Sequence, residues 1–94
     1  MDVLDPAAVD AEVAGGAWHR EGSEIVTTRR GRDFAEALAF VNAVGALAEA
    51  MDHHPDIDIR FNTVTLRLST HSAGGLTRLD LELARRIDAI TGDD

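Results

Sequence analysis

The sequence contains no cysteine. That excludes disulfides, a thiolate nucleophile and any metal or cluster held by cysteine. No run approaches the roughly 18 apolar residues of a membrane span, so no membrane partner is expected. The first residues, Met1-Asp2-Val3-Leu4-Asp5, lack the basic and apolar blocks of a secretory signal. A soluble, cytoplasmic protein is therefore the expectation. Basic charge is scarce as well: 9 basic residues stand against 17 acidic ones, for a net charge of −8. Such a surface repels a phosphate backbone, so nucleic acid is not an expected partner. The 94 residues allow one domain, residues 1–94, with one modest core. A domain of this size often gains stability by burying a face against another subunit.

Proline occurs twice, and both occurrences mark boundaries. Asp5-Pro6 opens a first helix, because Asp caps well and Pro at the first position lacks only an N–H that would be unpaired anyway. Leu4 and Val9 stand where a hydrophobic staple would place them, and Gly15-Gly16 stop the helix. Residues 17–21 and 24–30 read as two strands joined by a Gly-containing turn. Arg29, Arg30 and Arg32 cluster beside Gly31, which reads as a solvated strand end in preference to an anion site. Asp33 and Glu36 resemble a capping box and open a long central helix, from Phe34 to about Met51. Phe34, Leu38, Val41, Val44, Ala48 and Met51 share one face, which is expected to lie on a sheet. Phe40 and Leu47 widen that face, and alanines fill much of the opposite side. Asn42 and Glu49 form a polar stripe, which His53 joins if the helix runs one turn further.

Pro55 ends that helix by pushing its predecessor out of the α region. Ile57, Ile59 and Phe61 then alternate with polar residues, as do Val64, Leu66 and Leu68. This is the clearest period-2 signal in the chain, and Asn62-Thr63 is the expected hairpin connection. Gly74-Gly75 break the chain, and Thr77 with Asp80 suits a capping box for a last helix. Leu79, Leu83, Ile87 and Ile90 form its buried stripe, Gly92 ends it, and Asp93-Asp94 are expected to fray. The fold class is α+β: a four-stranded antiparallel sheet with three helices on one face, in the order α-β-β-α-β-β-α.

Three of the four histidines fall within residues 49–80, together with Glu49, Asp52 and Asp80. His53 and His54 stand at a helix end whose exit Pro55 fixes. His71 lies just past a strand end, behind a hairpin that folds back. Histidine exchanges protons near neutrality, and carboxylates can orient the rings or raise their basicity. This is the general layout of an acid–base site. Two other uses compete. His53 and His54 can cap the helix C-terminus, where a charged imidazole favours the dipole. Zinc can be held by three histidines, or by two and a carboxylate. Adjacent histidines diverge, however, and lack the His-x-x-x-His spacing of helical zinc sites, so no metal is expected. His19 belongs to the first hairpin and is expected to be exposed. Trp18, taken alone, is more often a core residue than a ligand platform.

Glu49-x-x-x-His53-His54-Pro55, Phe61, His71 and Asp80, at these spacings, resemble the signature of the pterin-4a-carbinolamine dehydratases. Asp52-His53-His54-Pro55, Leu68-Ser69-Thr70-His71, Gly75-Leu76-Thr77, Trp18 and Asp33-Phe34 strengthen the likeness, which spans about residues 18–90. The resemblance implies loss of water from 4a-hydroxytetrahydropterin to give quinonoid dihydropterin, recycling the cofactor of an aromatic amino-acid hydroxylase. It implies a pterin substrate, no cofactor, and a homodimer or a homotetramer of two dimers. By carry-over, His53 and His71 transfer protons, and His54 contacts the pterin and shares in the transfer. Glu49 and Asp52 orient the rings or the pterin, while Pro55, Ser69, Thr70 and Ser72 line the pocket. Trp18 walls the pocket, and Asp80 joins the site or only caps the last helix. Ile57 stands where the family often has an aromatic, and Arg29 and Gly31 replace aromatics before Asp33-Phe34. Some relatives serve instead as binding or assembly modules, which is the alternative function; those are expected to lose site histidines.

Overall fold

A computed structural model describes residues 2–91, without the side chain of Thr91. The expected end of the last helix at Gly92, and Asp93-Asp94, lie outside the described residues. The elements run α1 (Pro6–Val13), β1 (His19–Glu21), β2 (Glu24–Arg30), α2 (Phe34–Met51), β3 (Asp56–Arg60), β4 (Thr63–Leu68) and α3 (Arg78–Thr91). A short 3₁₀ turn, His71–Ala73, precedes α3. The four strands form one antiparallel sheet in the order β1-β2-β4-β3. The expected α+β class and element order are those of the structure.

Alternation along the two central strands builds the core. Ile25 on β2 and Val64, Leu66 and Leu68 on β4 are buried on the helical side of the sheet. Leu83, Ala84 and Ile87 of α3, Val44 and Ala37 of α2, and Val9 of α1 cover them. Full burial of a Leu or Ile side chain contributes about 1.5–3 kcal/mol. Thr27 shares that face and is almost fully buried, so its hydroxyl needs a partner; it donates to the Ala17 carbonyl at 2.7 Å.

The central helix is rotated from the expected position. Phe34 and Leu38 are 47% and 42% exposed, not buried on the sheet. The buried positions are Ala37, Val44 and Ala48, with Phe40, Val41, Leu47 and Met51 packed at the margins. Val44 and Ala48 are buried as expected; Ala37, with only a methyl side chain, joins them and lets that side approach the sheet closely, while Phe34 and Leu38 turn outward. By length and composition α2 could cross a membrane, with mean hydropathy 1.4 over 18 residues. Here it lies along the sheet. Its start is built as read, with the Glu36 N–H donating to Asp33 Oδ1 at 2.9 Å. The Glu36 carboxylate reaches the Arg32 N–H instead of closing the box on Asp33.

The second hairpin also differs in register. Its connection is Phe61-Asn62, not Asn62-Thr63, because Arg60 pairs with Thr63 and Ile59 with Val64. Phe61 takes a positive φ of 51° and is 67% exposed. Asn62 fixes this turn from outside: its side-chain amide donates to the Gly31 carbonyl, and its own carbonyl accepts from the Gly31 N–H. The shift is by two residues, so the apolar set keeps its face. On α3, Leu83 and Ile87 are buried as expected, but Ile90 is 39% exposed near the last turn.

Leu66→Ala, at the centre of this core, is expected to lower the free energy of unfolding by about 2–5 kcal/mol. Urea unfolding of both proteins measures it. A loss below about 1 kcal/mol would contradict the packing described.

Candidate active site

Helix α2 stops at Met51 because Asp52 adopts the left-handed conformation, φ 51° and ψ 45°. The Asp52 N–H closes onto the Ala48 and Glu49 carbonyls. The helix therefore ends before Pro55 is reached, and His53 does not extend its polar stripe. The turn sends the two histidines in opposite directions. His53 faces inward and is 8% exposed; His54 faces solvent. Glu49 accordingly meets His54, whose Nε2 lies 2.5 Å from Glu49 Oε2, and not His53.

His53 Nε2 lies 2.6 Å from Oδ1 of Asp80, which is fully buried. Oδ2 of Asp80 accepts from the Thr77 N–H at 2.9 Å and from the Thr70 hydroxyl at 2.8 Å. The proton order follows from these contacts. The Thr70 hydroxyl is committed to Asp80, so the Thr77 hydroxyl donates to Thr70 Oγ1, 2.8 Å away. Thr77 Oγ1 in turn accepts from the Leu79 N–H at 3.2 Å. A carboxylate can only accept, so the Nε2 proton in this contact belongs to His53. Nδ1 of His53 is left as the nitrogen available for exchange.

Asp80 thus joins three segments: the exit of α2, the exit of β4 and the start of α3. His71 follows Thr70 directly, at the start of the 3₁₀ turn, and its side chain is exposed. Ser69 and Pro55 are half-buried, while Ser72 and Asp52 are exposed around the same end of the sheet. Trp18 lies elsewhere in the core. It is 5% exposed, and its Nε1–H donates to Asp88 Oδ1 at 2.9 Å. Asp88 is eight residues beyond Asp80, or about 12 Å along α3. His19 is exposed and bonded to Glu21, on the first hairpin as expected.

The role of Thr77 was not read from the sequence as part of the site. Its signal was present in the Thr77-x-x-Asp80 capping box, of which the second oxygen also serves a histidine. Among the described residues, no group of three or more His, Asp or Glu is arranged to hold a metal ion. A cavity of about 480 Å³ lies at the opposite end of β4, lined by residues including Arg29, Phe40 and Val64 and by none of the histidines. The histidines stand instead on an open rim: one buried ring tied to a carboxylate, with two exposed rings nearby in sequence and topology. Such a rim can present both proton donors and acceptors to a small polar molecule.

The family model described as pterin 4 alpha carbinolamine dehydratase matches residues 2–90. The chain belongs to the pterin-4-alpha-carbinolamine dehydratase family. A protein of Chloroflexus aurantiacus provisionally given that name is 57% identical over 75 residues, covering 80% of this chain and 81% of the relative. One from Thermomicrobium roseum, named likewise, is 48% identical over 90 residues, covering 93% and 95%. A Brucella melitensis structure described as a transcriptional coactivator/pterin dehydratase superposes with a TM-score of 0.87. It is 32% identical, with 97% of this chain and 100% of that chain covered. A pterin dehydratase-like protein described as a RuBisCO assembly factor in the alpha-carboxysome shares the fold. There the TM-score is 0.70 at 24% identity, over 85% of this chain and 95% of that one.

The two histidine–carboxylate pairs of this dehydratase-family site differ in worth. Asp80→Ala removes the partner of a buried histidine and two further donors, and is expected to destabilise the fold by about 3–5 kcal/mol. Glu49→Ala breaks an exposed pair and is expected to cost less than about 1 kcal/mol. Denaturant midpoints for the two variants distinguish them; equal losses would mean that Asp80 is not the hub described.

Proposed function

We propose that this protein dehydrates 4a-hydroxytetrahydropterin to quinonoid dihydropterin and water by histidine acid–base catalysis, so recycling a tetrahydropterin. The observation that carries the reading is the buried His53–Asp80 pair, linked through Thr70 to the turn bearing His71. The reaction breaks the C4a–O bond, removes the N5 proton and forms the C4a=N5 bond. The leaving hydroxyl needs a proton, and N5 must lose one. Asp80 holds His53 with Nε2 protonated and leaves Nδ1 for the exchange. With its orientation fixed by Asp80, His53 can accept a proton at Nδ1 and return it. His71, exposed and flexible in its choice of partner, serves as the second proton-transfer group. His54, held by Glu49, contacts the pterin from the solvent side and shares in the transfer. Ser69, Thr70 and Ser72 supply polar groups along the rim, Pro55 fixes the wall beside it, and Asp52 shapes the turn. Trp18 supports the sheet behind. No metal or redox cofactor is needed for the bond changes.

The exposed Phe34 and Leu38 on α2, with Ile57 on the outer strand, support assembly as a homodimer or homotetramer. The second reading is an interaction or assembly module on the same fold. The retained histidines favour the enzyme.

Dehydration of chemically prepared 4a-hydroxytetrahydropterin, followed as quinonoid dihydropterin, tests the proposal. The wild type is expected to accelerate it, and His53→Ala/His71→Ala to lose about 10²–10⁴-fold. Chelator is expected to change nothing. A folded wild type without acceleration would leave the interaction module as the working function. Light scattering of the same preparations should give two or four times the chain mass; a monomer would contradict the assembly reading.

A further inference from the structure

The turn bearing His71 is closed only by short-range backbone bonds, from the Ala73 and Gly74 N–H groups to the Thr70 carbonyl and from the Gly74 N–H to the His71 carbonyl. It is three residues of 3₁₀ helix, and the His71 side chain has no hydrogen-bond partner among the described residues. Its base is closed by an isolated bridge between Thr70 and Gly75. The Thr70 N–H donates to the Gly75 carbonyl at 3.0 Å, and the return bond is long, at 3.4 Å. The far side of Gly75 is backed by the N-terminal segment. A Cβ placed on Gly75 would lie 2.9 Å from Val3 Cγ1, so the backbone there is in direct contact with that side chain. One residue on, the Leu4 N–H donates to the Leu76 carbonyl at 2.7 Å, and the Leu4 side chain packs on the core. Leu76 immediately precedes Thr77, which binds Asp80. Val3 itself is 51% exposed, so core burial does not account for its place on Gly75.

We infer that Val3 and Leu4 form a strap that positions the His71 turn, with Gly75 kept side-chain-free so that the strap can seat. The inference rests on the proposed role of His71 in proton transfer. Leu4 anchors the strap to the core and to the Leu76 carbonyl. Val3 presses the Gly75 end of the turn toward Thr70, whose hydroxyl is held by Asp80. A cavity of about 130 Å³, lined in part by Val3, Leu4, Gly74 and Gly75, adjoins the contact. It gives the turn room to shift once the strap lifts. Val3 and Leu4 are positioning residues: they act through the backbone of the turn and touch no substrate.

Gly75→Ala tests this, read by turnover and by hydrogen exchange at the Thr70 amide. The variant is expected to lose about 10-fold in kcat, with KM within about twofold, because misplacing a proton-transfer group costs rate. Thr70 exchange is expected to quicken by about 10-fold. Adding Val3→Ala removes both Cγ atoms that the new Cβ meets and leaves the Cβ of residue 3 in ordinary contact with it at 3.8 Å, so the strap seats again and both readouts are expected to be restored. Wild-type kcat and exchange in Gly75→Ala would overturn the proposal. So would a double variant no better than the single one, since the defect would then lie in Gly75 alone. Should Gly75→Ala fail to fold, deleting residues 1–3 removes the same contact from the other side. Faster Thr70 exchange then supports the strap and unchanged exchange sinks it. If the wild type does not dehydrate the pterin, the acid–base reading fails, while the exchange arm still decides whether the strap holds the turn.

Discussion

One buried carboxylate holds the histidine end of this molecule together. Taking a charged group out of water costs several kcal/mol, and the cost is offset only when its lone pairs are used. Asp80 uses both oxygens, on a backbone N–H, a hydroxyl and an imidazole. Charge-assisted bonds of this kind are about twice as strong as neutral ones. Because the three donors come from three segments, satisfying one side chain fixes three parts of the backbone. Helix α3 starts where it does, β4 ends where it does, and His53 turns inward, all for the same reason.

A second constraint separates the two adjacent histidines. A single left-handed residue, Asp52, lets the chain leave α2 before Pro55 and splits the pair between core and solvent. The inward ring gains an ordered proton and a fixed orientation. The outward ring and its partner Glu49 are both exposed, so water competes for their pairing. Two residues of one type thereby acquire different chemistry from the backbone between them. Gly31 and Asn62 show a related device at the other end of the sheet, where reciprocal bonds set the hairpin register.

Much of the fold was legible because β4 alternates without exception and α3 carries a clear apolar stripe. The start of α2 was legible from Asp33, and the start of α3 from Thr77 and Asp80. What failed did so for physical reasons. Phe34 and Leu38 looked like core because helical spacing puts them on one face with Val44 and Ala48, yet Ala37 takes the place beside those two and the larger residues stay outside. Spacing alone does not say where the centre of a broad apolar face will meet a sheet. Phe61 looked like a strand residue because of its parity, whereas bonds from a distant glycine make it a turn. For the site, spacing marked the histidines and the carboxylates but not their pairing. Glu49 was matched with His53 by helical spacing, and the left-handed turn handed it to His54. The contact of Val3 with Gly75 has no signature in either residue's neighbourhood.

The order of the strands has a consequence for synthesis on the ribosome. The central pair of the sheet is β2 with β4, and β4 is the last strand to be made. The first hairpin can close early, but its inner edge stays unpaired while α2, the second turn and β4 are still being translated. Asp80 and Asp88 come later still, so the ligands of His53 and Trp18 emerge after the residues they hold. A nascent chain halted before α3 therefore has all four strands but an inward histidine without its carboxylate and an apolar sheet face that the last helix does not yet cover.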